Sequence, residues 1–300
     1  MSKVTTALVT GSAGFAGYWL VRELENHGCR VIKFDYREGN DVRDYERVRA
    51  AMETEPDLIF HLAGVSQPGE ALNDPRRTMN VNIIGALNIL EAVRNTRSSA
   101  RVLLAGSSEE YGYEKRDADE ILTETSLCRP SSSYGVSKLA ATTLGMSYVQ
   151  RHSIPVVAVR PFNHTGWGRQ AVNAESAFAR RIVAVERGEA DVVTHGDLSA
   201  SRNFTDVRDM VQAYWAAIHC EPGIYNACSP WTLSLAEVMD ILVSRAECAI
   251  SLKQDASLGH RVPGPFPKVS AAKLCAATGW EARRPPADMF GWLLAYWRSR

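Results

Sequence analysis

A short apolar run, Ala7-Leu8-Val9, leads directly into Thr10-Gly11-Ser12-Ala13-Gly14-Phe15-Ala16-Gly17, and Tyr18-Trp19-Leu20-Val21-Arg22-Glu23-Leu24 follows at helical spacing. This juncture constrains the fold more than any other stretch of the chain. Glycines at these intervals let the backbone turn tightly after a strand, approach a pyrophosphate closely, and pack helix against strand. The helix start then offers N–H groups and the positive end of its dipole to an anion. Such a string is weak evidence by itself. Its weight comes from Asp35, which closes the next apolar run (Arg30-Val31-Ile32-Lys33-Phe34) at about 20 residues, the distance at which a carboxylate meets a dinucleotide ribose. A carboxylate there accepts hydrogen bonds from a 2′-hydroxyl and repels a 2′-phosphate, so NAD(H) is expected in preference to NADP(H). Arg37 is the nearby group suited to a 2′-phosphate.

The same alternation continues. Leu58-Ile59-Phe60-His61-Leu62 and Arg101-Val102-Leu103-Leu104-Ala105 read as further strands, with helical patterns between them. Ile154-Pro155-Val156-Val157-Ala158-Val159-Arg160 follows a long helical stretch. Apolar runs alternating with helices imply β-α-β units, right-handed crossovers and a parallel sheet covered on both faces. The expected fold is therefore α/β, a doubly wound parallel sheet. After about Phe162 the rhythm breaks, and residues 163–206 plus 231–300 read as a smaller C-terminal α/β substrate lobe. Residues 1–162 plus 207–230 read as the dinucleotide lobe. Trp292-Leu293-Leu294-Ala295-Tyr296-Trp297 is the apolar face of a closing helix.

The bulk numbers exclude several classes. Lys+Arg and Asp+Glu both number 34, so the formal net charge is zero, which argues against nucleic acid or an anionic membrane as partner. No apolar run approaches the roughly 18 residues of a membrane span. The polar start, Met1-Ser2-Lys3, is no signal peptide. Six scattered cysteines (Cys29, Cys128, Cys220, Cys228, Cys248, Cys275) form no C-x-x-C pair and read as reduced thiols of a cytoplasmic protein. No His/Cys/Asp cluster has metal-ligand spacing, so no metal is expected.

Chemistry is carried by Tyr134-Gly135-Val136-Ser137-Lys138. Four residues apart on a helix, Tyr134 and Lys138 share a face. An ammonium near a phenol favours the phenolate and lowers its pKa, so the tyrosine can exchange a proton with a sugar hydroxyl or carbonyl. Such pairs are common by chance. Ser107 strengthens this one, because it follows a predicted strand whose carboxyl end should line the ligand crevice, where its hydroxyl can share the same substrate oxygen.

With these residues in view, the chain resembles the extended short-chain dehydrogenase/reductase superfamily, of Rossmann fold, over nearly its full length. Besides the glycine motif and Ser107/Tyr134/Lys138, the resemblance rests on Asp41-Val42, His61-Leu62-Ala63-Gly64 and Asn82-Ile83-Ile84-Gly85. It is closest to the branch that reduces GDP-4-keto-6-deoxy-mannose and to the GDP-mannose 4,6-dehydratases. The strings that carry this are Gly106-Ser107-Ser108-Glu109-Glu110-Tyr111-Gly112, Arg160-Pro161-Phe162-Asn163-His164-Thr165-Gly166 and Arg202-Asn203-Phe204-Thr205-Asp206-Val207-Arg208-Asp209. The resemblance implies cofactor contacts from Gly11, Ala13, Gly14, Phe15, Ala16, Gly17, Asp35, Tyr36, Asp41, Val42, Leu62, Ala63, Gly64, Tyr134, Lys138 and Arg160. It implies substrate contacts from Ser66, Ser108, Glu109, Asn163, Arg169, Arg202 and Arg261. An arginine suits a pyrophosphate because its planar fork bonds two oxygens at once. The resemblance also implies a homodimer in which the helices of 82–96 and 133–152 pair across a two-fold axis.

The chain departs from the family pattern at Ser133, where proline is usual, at Gly166-Trp167-Gly168-Arg169-Gln170, where G-P-G-Q is usual, and across 259–268. Trp167 suits either stacking on a nucleobase or a pocket wall. His164 reads as a loop-ordering or cofactor-adjacent histidine, and His195 and His219 as surface residues. Glu109 suits a base that removes the C5 proton in a dehydratase, or a binding role in a reductase. The expected function is an NAD(P)H-dependent reductase that delivers hydride to C4 of a nucleotide-activated 4-keto-6-deoxy sugar, with Tyr134 as proton donor. A redox-neutral 4,6-dehydratase or 4-epimerase with bound NAD is the alternative, and a non-catalytic dinucleotide sensor a third reading.

Overall fold

The computed structural model describes residues 4–113, 119–258 and 266–300. Along the chain run β1 (Thr6–Thr10), α1 (Phe15–Asn26), β2 (Arg30–Phe34), α2 (Tyr45–Ala51), β3 (Leu58–His61), the short α3 (Pro68–Asn73) and α4 (Pro75–Met79), α5 (Gly85–Asn95) and β4 (Arg101–Ala105). There follow β5 (Ile121–Leu122), α6 (Ser133–His152), β6 (Val156–Pro161), β7 (Asn163–Thr165), α7 (Ala174–Glu186), β8 (Val193–His195), β9 (Ser201–Asp206), α8 (Val207–Ala217) and β10 (Gly223–Ala227). The chain closes with β11 (Thr232–Ser234), α9 (Leu235–Val243), β12 (Leu252–Gln254), β13 (Lys268–Val269), α10 (Ala272–Thr278) and α11 (Pro286–Arg298).

The central sheet has six parallel strands in the order β10-β6-β4-β3-β1-β2. Its inner strands β1, β3 and β6 are buried throughout, as their Val/Ile/Leu/Phe content requires of strands covered on both faces. One apolar layer packs Leu20, Leu24, Met210 and Tyr214 of α1 and α8 on one face; the other packs Ile89, Leu90 and Val93 of α5 with Ile59 and Val102. The chain builds outward from β1 to β2, then reverses to β3, so its direction switches between β1 and β3. In such sheets ligands bind beyond the strand ends at that switch. There the Thr10 hydroxyl and His61 Nδ1 lie 2.8 Å apart, and the Ala63 N–H donates to the same hydroxyl at 3.2 Å.

A three-stranded sheet, β11-β9-β7, lies beyond the main sheet, with its own apolar cluster: Phe178 and Ile182 of α7, Val238 of α9, and Phe290 and Leu293 of α11 around Phe204. The closing helix expected at 292–297 is the second half of α11, with Leu293 and Leu294 fully buried.

One local difference from the sequence reading matters for the site. The helix expected over 82–96 opens as a π-turn, Asn80–Ile84, before α5 begins. The wider turn holds the Asn82 side chain inside while Ile84 faces out. The Asn82 amide accepts from the Val65 N–H at 2.8 Å and donates to the Ser137 hydroxyl at 2.8 Å, linking the loop after β3 to α6.

Candidate active site

The glycine turn has the shape a pyrophosphate needs. Gly11 adopts φ +72°, and a Cβ there would lie 2.7 Å from the Ala63 nitrogen; a Cβ on Gly17 would lie 2.0 Å from the Gly11 carbonyl oxygen. A side chain at Gly11 would push the loop after β3 away from the turn, and one at Gly17 would push α1 off it. Among the described residues, helix α1 has no side-chain cap at its start and no acidic residue in its first turn, which leaves its first N–H groups open to an anion. The Ser12 hydroxyl is buried without a hydrogen-bond partner among the described residues. An orphaned donor beside uncapped helix N–H groups suits an oxyanion, and the dinucleotide phosphates fit this turn.

Asp35 caps a one-turn 3-10 helix over Tyr36–Glu38. Its carboxylate accepts the Ala13 N–H and the Arg37 N–H, each at 2.9 Å. Arg37 returns a bond from Nη1 to the Ala13 carbonyl at 2.7 Å. Of the remaining expected cofactor residues, Tyr36 is exposed, Val42 is buried beneath Gly85, and Asp41 is held by a bidentate pair with Arg43 that lowers its pKa. Leu62, Ala63 and Gly64 line the loop after β3, where the Cβ of any residue at 64 would meet the Asn82 amide oxygen at 2.8 Å.

Beyond the end of β4 the expected trio is assembled. Ser107 opens the 3-10 helix Ser108–Glu110, where its hydroxyl accepts from the Glu109 N–H at 3.1 Å and lies near enough to the Tyr134 phenol to lower its pKa. Lys138, one turn further along α6, lies 5.9 Å from the centre of the Tyr134 ring and donates from Nζ to the Ala105 carbonyl at 2.8 Å. The electrostatics correct the sequence reading. The spacing predicts that the ammonium depresses the phenol, yet burial dominates: it raises Tyr134 to about 12, against the pull of the nearby Ser107 hydroxyl, and lowers Lys138 to about 8. Low-dielectric surroundings penalise phenolate and ammonium alike. Tyr134 is thus a proton carrier near neutral pH, suited to giving a proton rather than taking one.

Glu109 follows on the same turn. Burial raises its carboxyl, opposed by the charge of Arg202. Arg202 lies 5.9 Å from the Phe266 ring, which packs on Tyr113 at 4.9 Å, and the Ser108 hydroxyl is near enough to the Tyr113 phenol to oppose its upward shift by burial. The structure therefore brings Ser108, Glu109 and Arg202 into one corner, walled by Phe266, from the stretch 259–268 that departs from the family pattern, and by Tyr113, to which the sequence reading gives no role. Asn163 is half-buried on β7, and Ser66 stands exposed at the rim after β3. Arg261 lies outside the described residues.

The stretch 163–170, whose second part departs from the family pattern, packs onto α1. His164 stacks on Phe15, with centroids 5.9 Å apart, and Arg169 lies over the same ring at 5.1 Å. Trp19 Nε1 donates to the Trp167 carbonyl at 3.0 Å, and the Trp167 ring packs on Tyr296 and Trp292. Trp167 is a wall residue here. His164 is neutral, pushed by burial down to about 4. His195 is half-buried with Nδ1 at 2.8 Å from the Gly196 carbonyl, whereas His219 is exposed, as expected, with its ring edge-on against Trp215.

Arg160 needs a correction. Expected as a cofactor contact, it is 3% exposed, and its guanidinium bonds Glu110 Oε2 at 2.8 Å, the Tyr111 hydroxyl at 3.0 Å and the Cys128 sulfur at 3.2 Å. Glu110 itself escaped the sequence reading. The available signal was the Ser-x-x-Glu spacing of a capping box, which the structure forms: Ser107 Oγ accepts from the turn and Glu110 reaches back to the Ser107 N–H.

A model of the NAD dependent epimerase/dehydratase family matches residues 7–228. GDP-6-deoxy-D-mannose reductase of Pseudomonas aeruginosa is 30% identical over 295 residues, covering 97% of each chain. Among solved structures, RMD from Pseudomonas aeruginosa complexed with NADPH superposes with a TM-score of 0.90 at 29% identity, covering 99% of this chain and 98% of that one. UDP-glucose 4-epimerase of Thermus thermophilus in complex with NAD gives a TM-score of 0.85 at 26% identity, covering 98% and 99%.

Proposed function

This chain belongs to the NAD dependent epimerase/dehydratase family, and on that footing we propose that it reduces a 4-keto-6-deoxy sugar carried on a nucleoside diphosphate, of the GDP-4-keto-6-deoxy-mannose type. The observation that carries this reading is the grouping of the Ser107 hydroxyl with the Tyr134 phenol beyond the carboxyl end of β4, with Lys138 Nζ one helical turn away at 5.9 Å from the ring centre. When bound, the reduced dinucleotide supplies the hydride that adds to C4. As the carbonyl gains a C–H bond, its oxygen takes up negative charge. The Tyr134 hydroxyl donates its proton to that oxygen, and the Ser107 hydroxyl orients it. Lys138, fixed on the Ala105 carbonyl, holds a positive charge beside the phenol as it turns into phenolate. Arg202, with Asn163, Ser108, Ser66, Arg169 and Arg261, is assigned to the sugar nucleotide; arginine fits its pyrophosphate.

NAD(H) is favoured over NADP(H) in this reading because the Asp35 carboxylate ends β2 where a 2′-phosphate would have to sit. Arg37, beside it, is the rival feature, and the relative solved with NADPH keeps the comparison open to measurement. Residues 1–162 plus 207–230 form the cofactor lobe and 163–206 plus 231–300 the sugar-nucleotide lobe. The protein works as a homodimer in the cytoplasm, where its six cysteines would stay reduced; among the described residues no helix is long and apolar enough to cross a membrane.

The test is direct. The protein is incubated with GDP-4-keto-6-deoxy-mannose and either reduced dinucleotide, following nicotinamide absorbance and product mass together. One reduced dinucleotide consumed per sugar reduced supports the reading, and sugar conversion without consumption overturns it. The redox-neutral alternative, a 4,6-dehydratase or 4-epimerase, is favoured by one observation: the Glu109 carboxyl raised by burial, suited to removing a proton from carbon.

A further inference from the structure

Glu110 is fully buried, carries a carboxyl group, and plays no part in the chemistry above. Its environment is built around it. Oε1 accepts from the Ser107 N–H at 2.9 Å and from the Thr142 hydroxyl of α6 at 2.9 Å, while Oε2 pairs with Arg160 Nε of β6 at 2.8 Å. Gly106 makes the room: a Cβ there would lie 2.4 Å from Glu110 Oε1, 3.0 Å from the Val159 carbonyl oxygen and 3.1 Å from the Thr142 hydroxyl. Arg160 is held in turn over the Tyr111 ring at 4.7 Å.

We propose that Glu110, with Arg160 as its counter-ion, is a positioning residue for the reaction: one buried carboxylate locks the backbone of Ser107, the helix bearing Tyr134 and Lys138, and strand β6 into one rigid unit. The inference rests on the reading of Ser107, Tyr134 and Lys138 as the reacting site. Burying an ion pair costs desolvation that apolar side chains of similar volume avoid, so stability alone does not account for an acid at this position. What the acid supplies is direction. It fixes the Ser107 main chain from one side while the Thr142 bond fixes α6 from the other, and these two elements must hold the serine and tyrosine hydroxyls within hydrogen-bond reach. Misplacement by about 1 Å costs catalysis on the order of 10²-fold.

Its charge also reaches the proton carriers. The groups facing Tyr134 and Lys138 are Glu109 and Glu110 from the turn after β4, Arg169 from the substrate loop, His61 from β3 and Tyr214 from α8. After burial and the Ser107 hydroxyl, the negative charges of Glu109 and Glu110 raise Tyr134; Glu110 also raises Lys138 against burial. Removing that charge lowers both, so the alkaline fall of reductive turnover moves to lower pH.

Three variants test this with the reduced dinucleotide and the 4-keto sugar nucleotide. Glu110→Gln keeps an oxygen for Ser107 but sets an amide against Arg160. The expected result is a fall in kcat of about 10²-fold, dinucleotide binding near native, and an alkaline limb displaced to lower pH. The double variant Glu110→Leu/Arg160→Met removes the pair in favour of apolar groups. It should unfold cooperatively at a temperature near native, yet stay as slow as Glu110→Gln. Native kcat and an unmoved pH profile in the folded double variant would overturn the proposal. Should both fail to fold, Thr142→Val decides: it deletes one bond to the carboxylate, and a several-fold loss of kcat is expected, with unchanged kcat refuting the idea. Tyr134→Phe is run alongside. Native turnover there would sink the reading of the reacting site, whereas an inactive Tyr134→Phe beside native Glu110 variants sinks the present inference alone.

Discussion

The Asp35 carboxylate accepts the Ala13 N–H at 2.9 Å, so the acid that ends β2 also holds the glycine turn from which a dinucleotide phosphate would be gripped. One side chain thus couples the ribose end of the cofactor site to its pyrophosphate end. Its other oxygen takes the Arg37 N–H, and the Arg37 guanidinium bonds the Ala13 carbonyl on the rim of the same turn.

Cofactor choice follows from that coupling. NADH is expected to bind more tightly than NADPH, and Asp35→Ala should narrow the gap by on the order of tenfold, about 1.4 kcal/mol. Because the substitution also frees the Ala13 N–H, affinity for both dinucleotides should drop somewhat. Arg37→Ala should weaken NADPH selectively. Fluorescence titration of both reduced forms checks this, and tighter binding of NADPH by the native protein would reverse the assignment.

Replacing Tyr134 with Phe removes one oxygen from a half-buried ring. Folding and dinucleotide binding should persist, while turnover should fall roughly 10²–10⁴-fold, the worth of a general acid. Since Tyr134 is raised to about 12 and Lys138 lowered to about 8, native reductive turnover should hold level through neutral pH and decline on the alkaline side as the lysine loses its proton. A rate that climbs steadily with pH would contradict a tyrosine proton donor.

Glu109 separates the two reaction classes. A dehydratase needs its carboxylate to remove the C5 proton, so Glu109→Gln should abolish elimination by a factor like that of Tyr134→Phe. A reductase has no such step and should lose only several-fold, through the contact with Arg202. Deuterium at C5 of the substrate should be retained in the product of the native enzyme; its loss to solvent, together with collapse of Glu109→Gln, would move the function to the dehydratase class.

Much of this was legible in the residues, for physical reasons. Strands β1, β3, β4 and β6 are apolar because both faces are covered, and a run that is apolar throughout stands out. Gly11 and Gly17 stand out because no Cβ fits there. What escaped was set by distance in three dimensions. Arg160 reads as a free cation in the sequence, and only the fold shows Glu110, 50 residues earlier, waiting for it in the core. The direction of the Tyr134 shift was misjudged likewise: the Tyr-Lys spacing is visible, whereas burial, the larger effect, depends on elements that close over the pair. Tyr113 and Phe266 meet only through the fold, since they lie on separate loops with no periodicity to mark them.

A buried and a half-buried histidine, His61 and His164, predict acid sensitivity. Burial lowers His61 from an ordinary 6.5 to about 3 and His164 to about 4. The unfolded chain therefore binds more protons than the folded one below about pH 6.5. Their contribution is fully present above that pH and is lost as the pH falls toward 4 and then 3. The melting temperature should drop steadily between pH 6.5 and 4, and His164→Asn should flatten part of that slope. A melting temperature independent of pH over this range would show that the rings are not held neutral.

The remaining prediction concerns assembly. Ile84 and Val136 are 40% and 42% exposed, and Leu87, Leu139 and Ala140 beside them are only half-buried. They lie on the π-turn, α5 and α6, which pack against each other across the outer face of the sheet. Apolar side chains on two adjacent helices form a surface that a second copy can cover by two-fold symmetry, each α5 and α6 meeting its counterpart. Light scattering should give twice the chain mass at micromolar concentration. Ile84→Glu with Val136→Glu places four carboxylates in such an interface and should yield monomers. Because Val136 stands two residues from Tyr134, the monomer should also turn over more slowly while still binding the dinucleotide. A native protein that is monomeric at these concentrations, or a double variant that stays dimeric, would locate the interface elsewhere or remove it altogether.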